Sequence, residues 1–271
     1  MYYVDFHTHT KYSFDSEAEP YEVCKTALDR GIKVVALTDH YDVDCEDQGL
    51  TIDMDIDERR ATIAELKERF SGKLEVIYGI ELGQPYSRSE FSESLVRDGG
   101  YEFVLGSVHN LKNVPDFYYI DYSKTGQGVI ENLFSRMLDD TLKLAKVPYV
   151  HSIAHVTYPI RYSAAAGKHL ELKQFYPKFE AVFSEMVRTE KALEINTSTI
   201  RKGLGFTVPD AEILSLYREC GGRYVTVGSD SHTAGDVGSD IEYAYKMMKK
   251  CGFDKVTVFK GGEKILIPTE L

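Results

Sequence analysis

Residues 2–10 read YYVDFHTHT, a run in which bulky β-prone residues lead directly into two histidines separated by one threonine. The pattern predicts a strand over Tyr2–Phe6. In extended backbone, side chains two residues apart point the same way, so His7 and His9 can both face one ion while Thr8 faces elsewhere. The stretch therefore predicts a metal site at the end of a strand.

Histidine and carboxylate residues recur in short clusters along the rest of the chain, and seven of the eight histidines fall in them. The clusters, with nearby acidic residues, are His7 and His9 in DFHTHT, His40 in LTDH, His109 in GSVH, His151 and His155 in HSIAH, His232 in SDSH, and Asp5, Asp15, Asp39, Glu81 and Asp230. Imidazole and carboxylate are the ligand set of zinc, iron and manganese, and the sequence does not choose among these metals. Two or three ions would account for so many ligands.

The chain alternates short β-prone runs with longer segments of helical periodicity. The expected strands are Tyr2–Phe6, Ile32–Leu37, Leu74–Ile80, Tyr101–Leu105, Val147–Ile153, Ala192–Ile195, Tyr224–Val227 and a last one near Lys255–Phe259. The expected helices are Pro20–Arg30, Asp57–Phe70, Gly128–Lys146, Leu172–Thr189, Pro209–Cys220 and Ile241–Cys251. Seven strand–helix units with near-continuous apolar strands favour a closed or nearly closed parallel barrel. An open doubly wound sheet is the alternative, although no dinucleotide fingerprint supports it.

In parallel α/β barrels the functional groups gather at the carboxyl ends of the strands. Every candidate ligand lies at or just beyond such an end: His7 and His9 (first strand), His40 (second), Glu81 (third), His109 (fourth), His155 (fifth), Asn196 (sixth), Asp230 and His232 (seventh). No internal linker is visible, so residues 1–271 are predicted to form one domain. We expect its ligands to meet in a single site at the barrel mouth.

Local sequence supports several of these ligands. Asp230 and His232 repeat the two-apart spacing after Gly228, which lets the backbone turn sharply. Glu81 ends a buried strand, where an unpaired carboxylate is costly. The neighbouring histidines favour a metal as its partner, and Glu81 is well placed to bridge two ions.

Of the three remaining histidines, His155 is predicted to bind metal, whereas His151 and His169 are not. His151 and His155 share a strand face, but about 13 Å separates their backbones at strand rise, so they do not share one ion. We choose His155, which lies nearer the mouth, as the ligand and interpret His151 as a hydrogen-bonded strand residue. His169 is interpreted as a solvated residue at a helix start.

Basic residues follow two of the strands. Arg161 comes shortly after His155 in HVTYPIRY, and Arg201 and Lys202 follow the sixth strand in EINTSTIRKG. Both segments are expected to be loops on the active face. Arginine binds phosphate through a fork of parallel donors, so Arg161 and Arg201 are candidate phosphate ligands, with Ser198 and Asn196 adding neutral hydrogen bonds.

Charge and composition exclude some classes of partner. The net charge of −11 argues against a protein that binds nucleic acid or anionic membrane across a broad face, but bound metals could still attract a small phosphorylated substrate.

Neither a signal peptide nor a membrane-spanning run is visible. Cys24, Cys45, Cys220 and Cys251 form no C-x-x-C pair and predict structural thiols in a reducing cytoplasm. The oligomeric state is not predicted.

The order and spacing of these motifs carry a family resemblance. DFHTHT with Asp15 six residues beyond His9, then LTDH, GIELG, GSVH, SIAH and GSDSH, resembles the PHP (polymerase and histidinol phosphatase) family from residue 5 to residue 232. The resemblance implies a distorted (β/α)7 barrel with three divalent metal ions. It implies this ligand set: His7, His9, Glu81 and Asp230 for one ion; Glu81, His109 and His155 for a second; and Asp15, His40 and His232 for the third.

Asp15, HVTYPIRY and EINTSTIRKG are similar to the histidinol-phosphate phosphatase branch of that family. This likeness implies hydrolysis of L-histidinol phosphate in histidine biosynthesis by a metal-bridging hydroxide, with Arg161 and Arg201 on the phosphate and Asp230 or His232 handling the proton for the leaving alkoxide. The segment at residues 110–123 is interpreted as shaping the pocket for the amine or imidazole end of a substrate.

Three interpretations stay open at this point. The acidic run Asp42, Asp44, Glu46 and Asp47 is interpreted as a solvated loop, with attraction of a substrate ammonium as the alternative. The substrate could instead be a nucleotide or an oligonucleotide end, although low basic content counts against long nucleic acid. A barrel that binds metal without catalysis is the non-enzymatic alternative, and the complete ligand set argues against it.

Overall fold

A computed structural model describes residues 1–44 and 54–269. Its parallel strands are β1 (Tyr3–Thr8), β2 (Ile32–Leu37), β3 (His40–Asp42), β4 (Glu75–Gly83), β5 (Phe103–Ser107), β6 (Ser152–Ile153), β7 (Ala192–Asn196) and β8 (Val225–Gly228). Seven of them pair in the order β1-β2-β4-β5-β6-β7-β8, and β3 adds to β4. Every pairing among them is parallel. The predicted (β/α)7 barrel is confirmed, and the open doubly wound alternative is wrong.

The first and last barrel strands meet just beyond their carboxyl ends. Thr8 and Ser231 form a parallel bridge. The His9 amide donates to the Ser231 carbonyl at 2.8 Å, and the Asp230 amide donates to the His7 carbonyl at 2.8 Å. The barrel therefore closes through the residues that the sequence nominated as ligands.

Helices cover the outside of the barrel: α1 (Pro20–Asp29), α2 (Ile56–Arg69), α3 (Ser89–Gly99), α4 (Gln127–Leu144), α5 (Ile160–Ala165), α6 (Tyr176–Arg188), α7 (Ser198–Arg201), α8 (Ala211–Glu219) and α9 (Ile241–Lys250). Side-chain caps fix two of the starts, since Asp55 accepts from the Glu58 amide and Asp210 from the Ile213 amide. Within the described ranges, no helix is long and apolar enough to pass through a bilayer.

A hairpin of β9 (Lys255–Lys260) and β10 (Glu263–Pro268) packs against the barrel. The Val225 amide of β8 donates to the Thr257 hydroxyl at 3.0 Å. Phe259 meets Phe103 and Phe6 with ring centroids 5.2 and 6.5 Å away. These contacts join the end of the chain to the hydrophobic core of the barrel.

Several predicted elements differ from the structure. The strand expected over Val147–Ile153 is only Ser152–Ile153, because Val147 and Val150 lie in a turn whose carbonyls accept from Lys191. The helix expected over Leu172–Thr189 divides into a 3₁₀ turn and α6, with a proline in the first turn of α6. The segments expected as loops around Arg161 and Arg201 are the short helices α5 and α7. Helix α3 and strands β3 and β10 were not predicted from the sequence.

Candidate active site

The nominated histidines and carboxylates converge at the carboxyl ends of the strands, with Glu81 at their centre. Glu81 lies within β4 and is fully buried. Its Oε2 lies 2.9–3.5 Å from imidazole nitrogens of His7, His9 and His40, and its Oε1 lies 3.0 Å from those of His109 and His155. Burial alone would raise the pKa of Glu81, but the charges of His7, His40 and His109 outweigh it and hold that pKa well below its usual range. A carboxylate with these neighbours can bridge more than one cation.

Asp230 forms the second centre of the site. Its Oδ1 is 3.7 Å from His7 Nε2, 3.4 Å from His9 Nε2 and 3.6 Å from His232 Nδ1. The residue has a φ of +52°, a left-handed conformation that is strained for an aspartate and typical of functional sites. His155 shares this feature with a φ of +24°.

Asp15 approaches the same group from the loop after β1. Its Oδ2 is 2.9 Å from His232 Nε2 and 3.7 Å from His40 Nε2. Burial works against ionisation of Asp15, but the hydrogen bond from His232 and the charge on His40 hold its pKa below the usual range. The side chain is 39% exposed, so Asp15 lies on the open side of the cluster.

The donor set fits divalent metals. Four groups of three residues place one ligand atom each within 4.8 Å of the others: His7, His9 and Asp230; His7, Glu81 and His155; His9, His40 and His232; and His40, Asp42 and His109. His9 Nε2 and His40 Nδ1 are buried and lie 3.5 and 3.0 Å from Glu81 Oε2, but neither forms a hydrogen bond of good geometry within the described residues. Burial, followed by the charges of His232 and His40, lowers the pKa of His9 to about 3, so its imidazole is neutral as ligation requires.

Carboxylates and a hydroxyl hold the outer nitrogens of three of these imidazoles. Glu194 Oε1 is 2.6 Å from His7 Nδ1, and Asp42 Oδ1 is 3.0 Å from His109 Nδ1. Ser13 Oγ is 3.0 Å from His9 Nδ1. Such partners fix the tautomer and orientation of a ligating histidine. None of these three partners was predicted from the sequence, although Glu194 is a glutamate inside the buried run ALEIN, the same signal that identified Glu81.

The interpretation of Asp42 and Asp44 as a solvated loop is wrong. Both are buried, and Asp42 lies opposite Gly83 where β3 pairs with β4. Asp44 accepts from Gln84 and Asn110 at 2.9 and 2.8 Å. Glu46, Asp47 and Cys45 lie outside the described residues.

The basic residues are arranged differently from the prediction. Arg161 lies in α5 and donates to Ser198 Oγ at 3.0 Å and to Asp230 Oδ2 at 3.2 Å, while its Nε is buried without a described partner. Arg201 does not reach the cavity, because its guanidinium donates to the Ser229 and Asp230 carbonyls at 2.5 and 2.6 Å. Ser198 supports Arg161 and also donates to Asn196. Lys202, which was not nominated, lines the cavity instead.

A cavity of about 520 Å³ opens above these groups. Its lining comprises metal-site candidates, two cations and an aromatic wall: Phe14, Asp15, His40, Asp42, His109, Asn110, Asp116, Tyr118, Tyr119, His155, Tyr158, Arg161, Tyr162, Lys202, Asp230 and His232. Arg161 lies over the Tyr158 ring at 4.3 Å. The cavity therefore joins the imidazole–carboxylate cluster to positive charge suited to an anion.

The other two histidines lie apart from this cluster, as predicted. His151 Nδ1 accepts a hydrogen bond from the Val104 amide at 2.9 Å. His169 is exposed. His151 is thus a structural residue of the barrel wall.

Residues 5–198 match the PHP domain model, and the chain belongs to the PHP domain family. Within that family, it is similar over nearly its whole length to proteins named as histidinol-phosphatases. A probable histidinol-phosphatase of Thermotoga maritima is 28% identical and covers 97% of both chains. A histidinol-phosphatase of Lactococcus lactis is 25% identical, with 95% of this chain and 94% of that protein covered.

A solved structure has the same fold. The histidinol phosphate phosphatase of Lactococcus lactis, in complex with zinc, L-histidinol and phosphate, superposes with a TM-score of 0.85 at 22% identity. The match covers 97% of this chain and 98% of that one. This likeness shows that the two chains share their barrel architecture throughout.

Proposed function

We propose that this protein is a metal-dependent phosphate monoesterase that hydrolyses L-histidinol phosphate to L-histidinol and phosphate. The main support for this proposal is that one cavity contains both the imidazole–carboxylate cluster and the cations Arg161 and Lys202. Relatives named as histidinol-phosphatases, aligned over nearly the full length, support the choice of substrate.

Three divalent ions are proposed to occupy the cluster. The ligands are His7, His9, Glu81 and Asp230 for one; Glu81, His109 and His155 for the second; and Asp15, His40 and His232 for the third. The short distances from Glu81 to both of the first two ligand sets support a bridging role. Zinc is the first candidate because the Lactococcus lactis structure contains it, and iron and manganese suit the same donors. When bound, such ions lower the pKa of a coordinated water and polarise the phosphoryl oxygens.

The protein's own residues position the ester. Arg161 Nε has no hydrogen-bond partner among the described residues, and we propose that it donates a hydrogen bond to a phosphoryl oxygen. Lys202 adds a point charge. Asn196 and Arg161 both donate to Asp230 Oδ2 at 3.2 Å, which fixes that carboxylate beside the phosphate. Asp230 or His232, at the same end of the cavity, is proposed to move the proton that the leaving alkoxide needs. Arg201 supports this end by holding the Ser229 and Asp230 carbonyls.

A substrate panel tests the function. Zinc-loaded protein is assayed for product release from L-histidinol phosphate, from nucleoside monophosphates and from a short oligonucleotide. We expect L-histidinol phosphate to give the highest kcat/KM, and Arg161→Met to lower that value roughly 100-fold or more. Arg136→Met, an exposed site on α4, is the matched control and should match the wild type. Turnover of the oligonucleotide alone would identify a nuclease of the same family instead.

Two wider proposals accompany this function. The chain is proposed to act in the cytoplasm, since Cys24, Cys220 and Cys251 are free thiols. Residues 1–271 are proposed to act as one domain, because the terminal hairpin packs onto the barrel through Phe259 and Thr257.

A further inference from the structure

A buried carboxylate lies behind the imidazole–carboxylate cluster and has no part in the proposed chemistry. Asp39, the residue before His40, is fully buried. Its Oδ1 lies 3.1 Å from Ser13 Oγ, which in turn lies 3.0 Å from His9 Nδ1. Resting on the proposed function, we propose that Asp39 is a positioning residue of the metal centre. Acting through Ser13, it fixes the ring proton of His9 on Nδ1 and leaves Nε2 free to bind an ion.

A buried arginine anchors Asp39. Arg59 Nε donates to Asp39 Oδ2 at 2.7 Å, and Arg59 is fully buried as well. Its Nη2 donates to the Leu37 and Gly79 carbonyls at 2.8 and 2.7 Å, so the guanidinium bridges β2 and β4. The Thr10 amide and hydroxyl donate to the other oxygen, Asp39 Oδ1, at 2.5 and 2.9 Å. All of these partners are donors, so Asp39 is held as a carboxylate that accepts on both oxygens.

The hydrogen bonds of Ser13 then have only one consistent direction. A hydroxyl has one proton to donate and two lone pairs that accept. The His40 amide donates to Ser13 Oγ at 3.0 Å and uses one lone pair. The charged Asp39 carboxylate is the strongest acceptor within reach, so it takes the Ser13 proton. The second lone pair faces His9 Nδ1, which must therefore carry the imidazole proton.

This tautomer is the one that metal ligation by His9 requires. A neutral imidazole with its proton on Nδ1 keeps its lone pair on Nε2. His9 Nε2 lies 3.4 Å from Asp230 Oδ1 and 3.5 Å from Glu81 Oε2, the carboxylates proposed to share its ion. The opposite tautomer would place a proton where the ion binds. An ion pair on the outer side of β2 and β4 thus selects the nitrogen that faces the metal.

A double-mutant cycle on zinc affinity tests whether Asp39 acts through Ser13. Competition with a chelating indicator gives the zinc dissociation constants of the wild type, Ser13→Ala, Asp39→Asn and the double variant. We expect each single change to weaken zinc binding about 10- to 100-fold, and the double variant to bind as weakly as the weaker single variant. Urea unfolding of the same proteins reports structural damage separately. Losses of affinity that multiply in the double variant would overturn the proposal.

The tautomer itself is measured by nitrogen NMR on the full chain labelled with ¹⁵N-histidine, with His9→Asn used to assign the signals. Before zinc is added, we expect the wild-type His9 proton on Nδ1, and zinc should then shift mainly the Nε2 signal. Ser13→Ala should show a mixture of tautomers, whereas Ser13→Thr keeps the hydroxyl and should restore the wild-type pattern. Ser184→Ala, an exposed site on α6, is the control.

Two results of the NMR experiment would overturn the positioning role. One is a wild-type His9 proton on Nε2. The other is a Ser13→Ala protein with both the wild-type tautomer and the wild-type zinc affinity. Failure of the proposed function has a different readout, namely no phosphate release from L-histidinol phosphate by the zinc-loaded wild type.

Discussion

Glu194 Oε1 lies 2.6 Å from His7 Nδ1, on the side of the imidazole away from Glu81 and Asp230. Glu194 Oε2 accepts from the His155 amide at 2.8 Å. One buried carboxylate in β7 thus orients a histidine of β1 and the backbone of a histidine after β6. The cluster is therefore pre-arranged by a residue that need not touch any ion.

The first prediction concerns this pair. Glu194→Gln keeps the shape of the side chain but removes its charge, and should weaken zinc binding about 10- to 100-fold. Competition with a chelating indicator measures the affinity, and the melting temperature of metal-free protein reports structural damage separately. Glu190→Gln, at an exposed site next to β7, is the control. Unchanged zinc affinity in Glu194→Gln would show that the contact does not orient His7.

Gly228 gives a second prediction because β8 passes very close to His7. A Cβ at residue 228 would lie 2.3 Å from His7 Cβ and 2.5 Å from Glu194 Oε1. Gly228→Ala should cost about 1–3 kcal/mol of unfolding free energy and weaken zinc binding as well. Gly128→Ala in α4 meets nothing within 4 Å and should be neutral or slightly stabilising. Urea unfolding of both variants tests this, and equal stabilities would contradict the packing argument.

The third prediction separates Lys202 from Arg201. Lys202 has no ion-pair or hydrogen-bond partner among the described residues, so Lys202→Met removes charge from the cavity without breaking a contact. We expect KM for the phosphate ester and the inhibition constant of inorganic phosphate to rise about tenfold, with stability within about 0.5 kcal/mol of wild type. Lys33→Met, an exposed position in β2, is the control. Normal phosphate inhibition of Lys202→Met would remove Lys202 from the phosphate site.

The fourth prediction uses pH. Burial, followed by the charges of Lys191 and Lys264, lowers the pKa of His151 to about 4, whereas the unfolded chain has a value of about 6.5. Because the unfolded state binds the proton first, the stability from neutral His151 is complete above about pH 6.5 and is lost as the pH falls towards 4.

His151→Gln offers an amide oxygen to the Val104 amide and cannot be protonated. Between pH 7 and pH 4, the unfolding free energy of the wild type should fall by up to about 3 kcal/mol more than that of His151→Gln. Urea unfolding at several pH values measures the difference, with His169→Gln as the exposed control. Parallel pH profiles for His151→Gln and wild type would contradict the assignment.

The sequence predicted the barrel and most of the cluster because both depend on strand periodicity. His7 and His9 lie two residues apart at the end of β1, and Glu81 interrupts a buried strand, so each was recognisable from its neighbours in the chain. The predicted site could not include Asp42, whose burial depends on β3 joining β4 beside Gly83. A Cβ at residue 83 would overlap Asp42 Oδ1, a tertiary relation that local sequence does not reveal.

The position of Arg201 differs from the prediction for a different physical reason. The segment expected as a loop forms the helical turn α7, and successive residues on such a turn point about 100° apart. Arg201 consequently meets the carbonyls after β8, while its neighbour reaches the cavity. Glu194, in contrast, could have been identified by the reasoning applied to Glu81, since both are carboxylates in buried strands.

Metals held by this cluster are proposed to drive phosphate release from L-histidinol phosphate. Titration of metal-free protein with zinc, with the rate of phosphate release measured at each ratio of zinc to protein, tests this proposal. We predict no release without metal and a rate that rises until two or three ions are bound per chain. Full activity in the metal-free protein, or no release at any zinc ratio, would contradict the account.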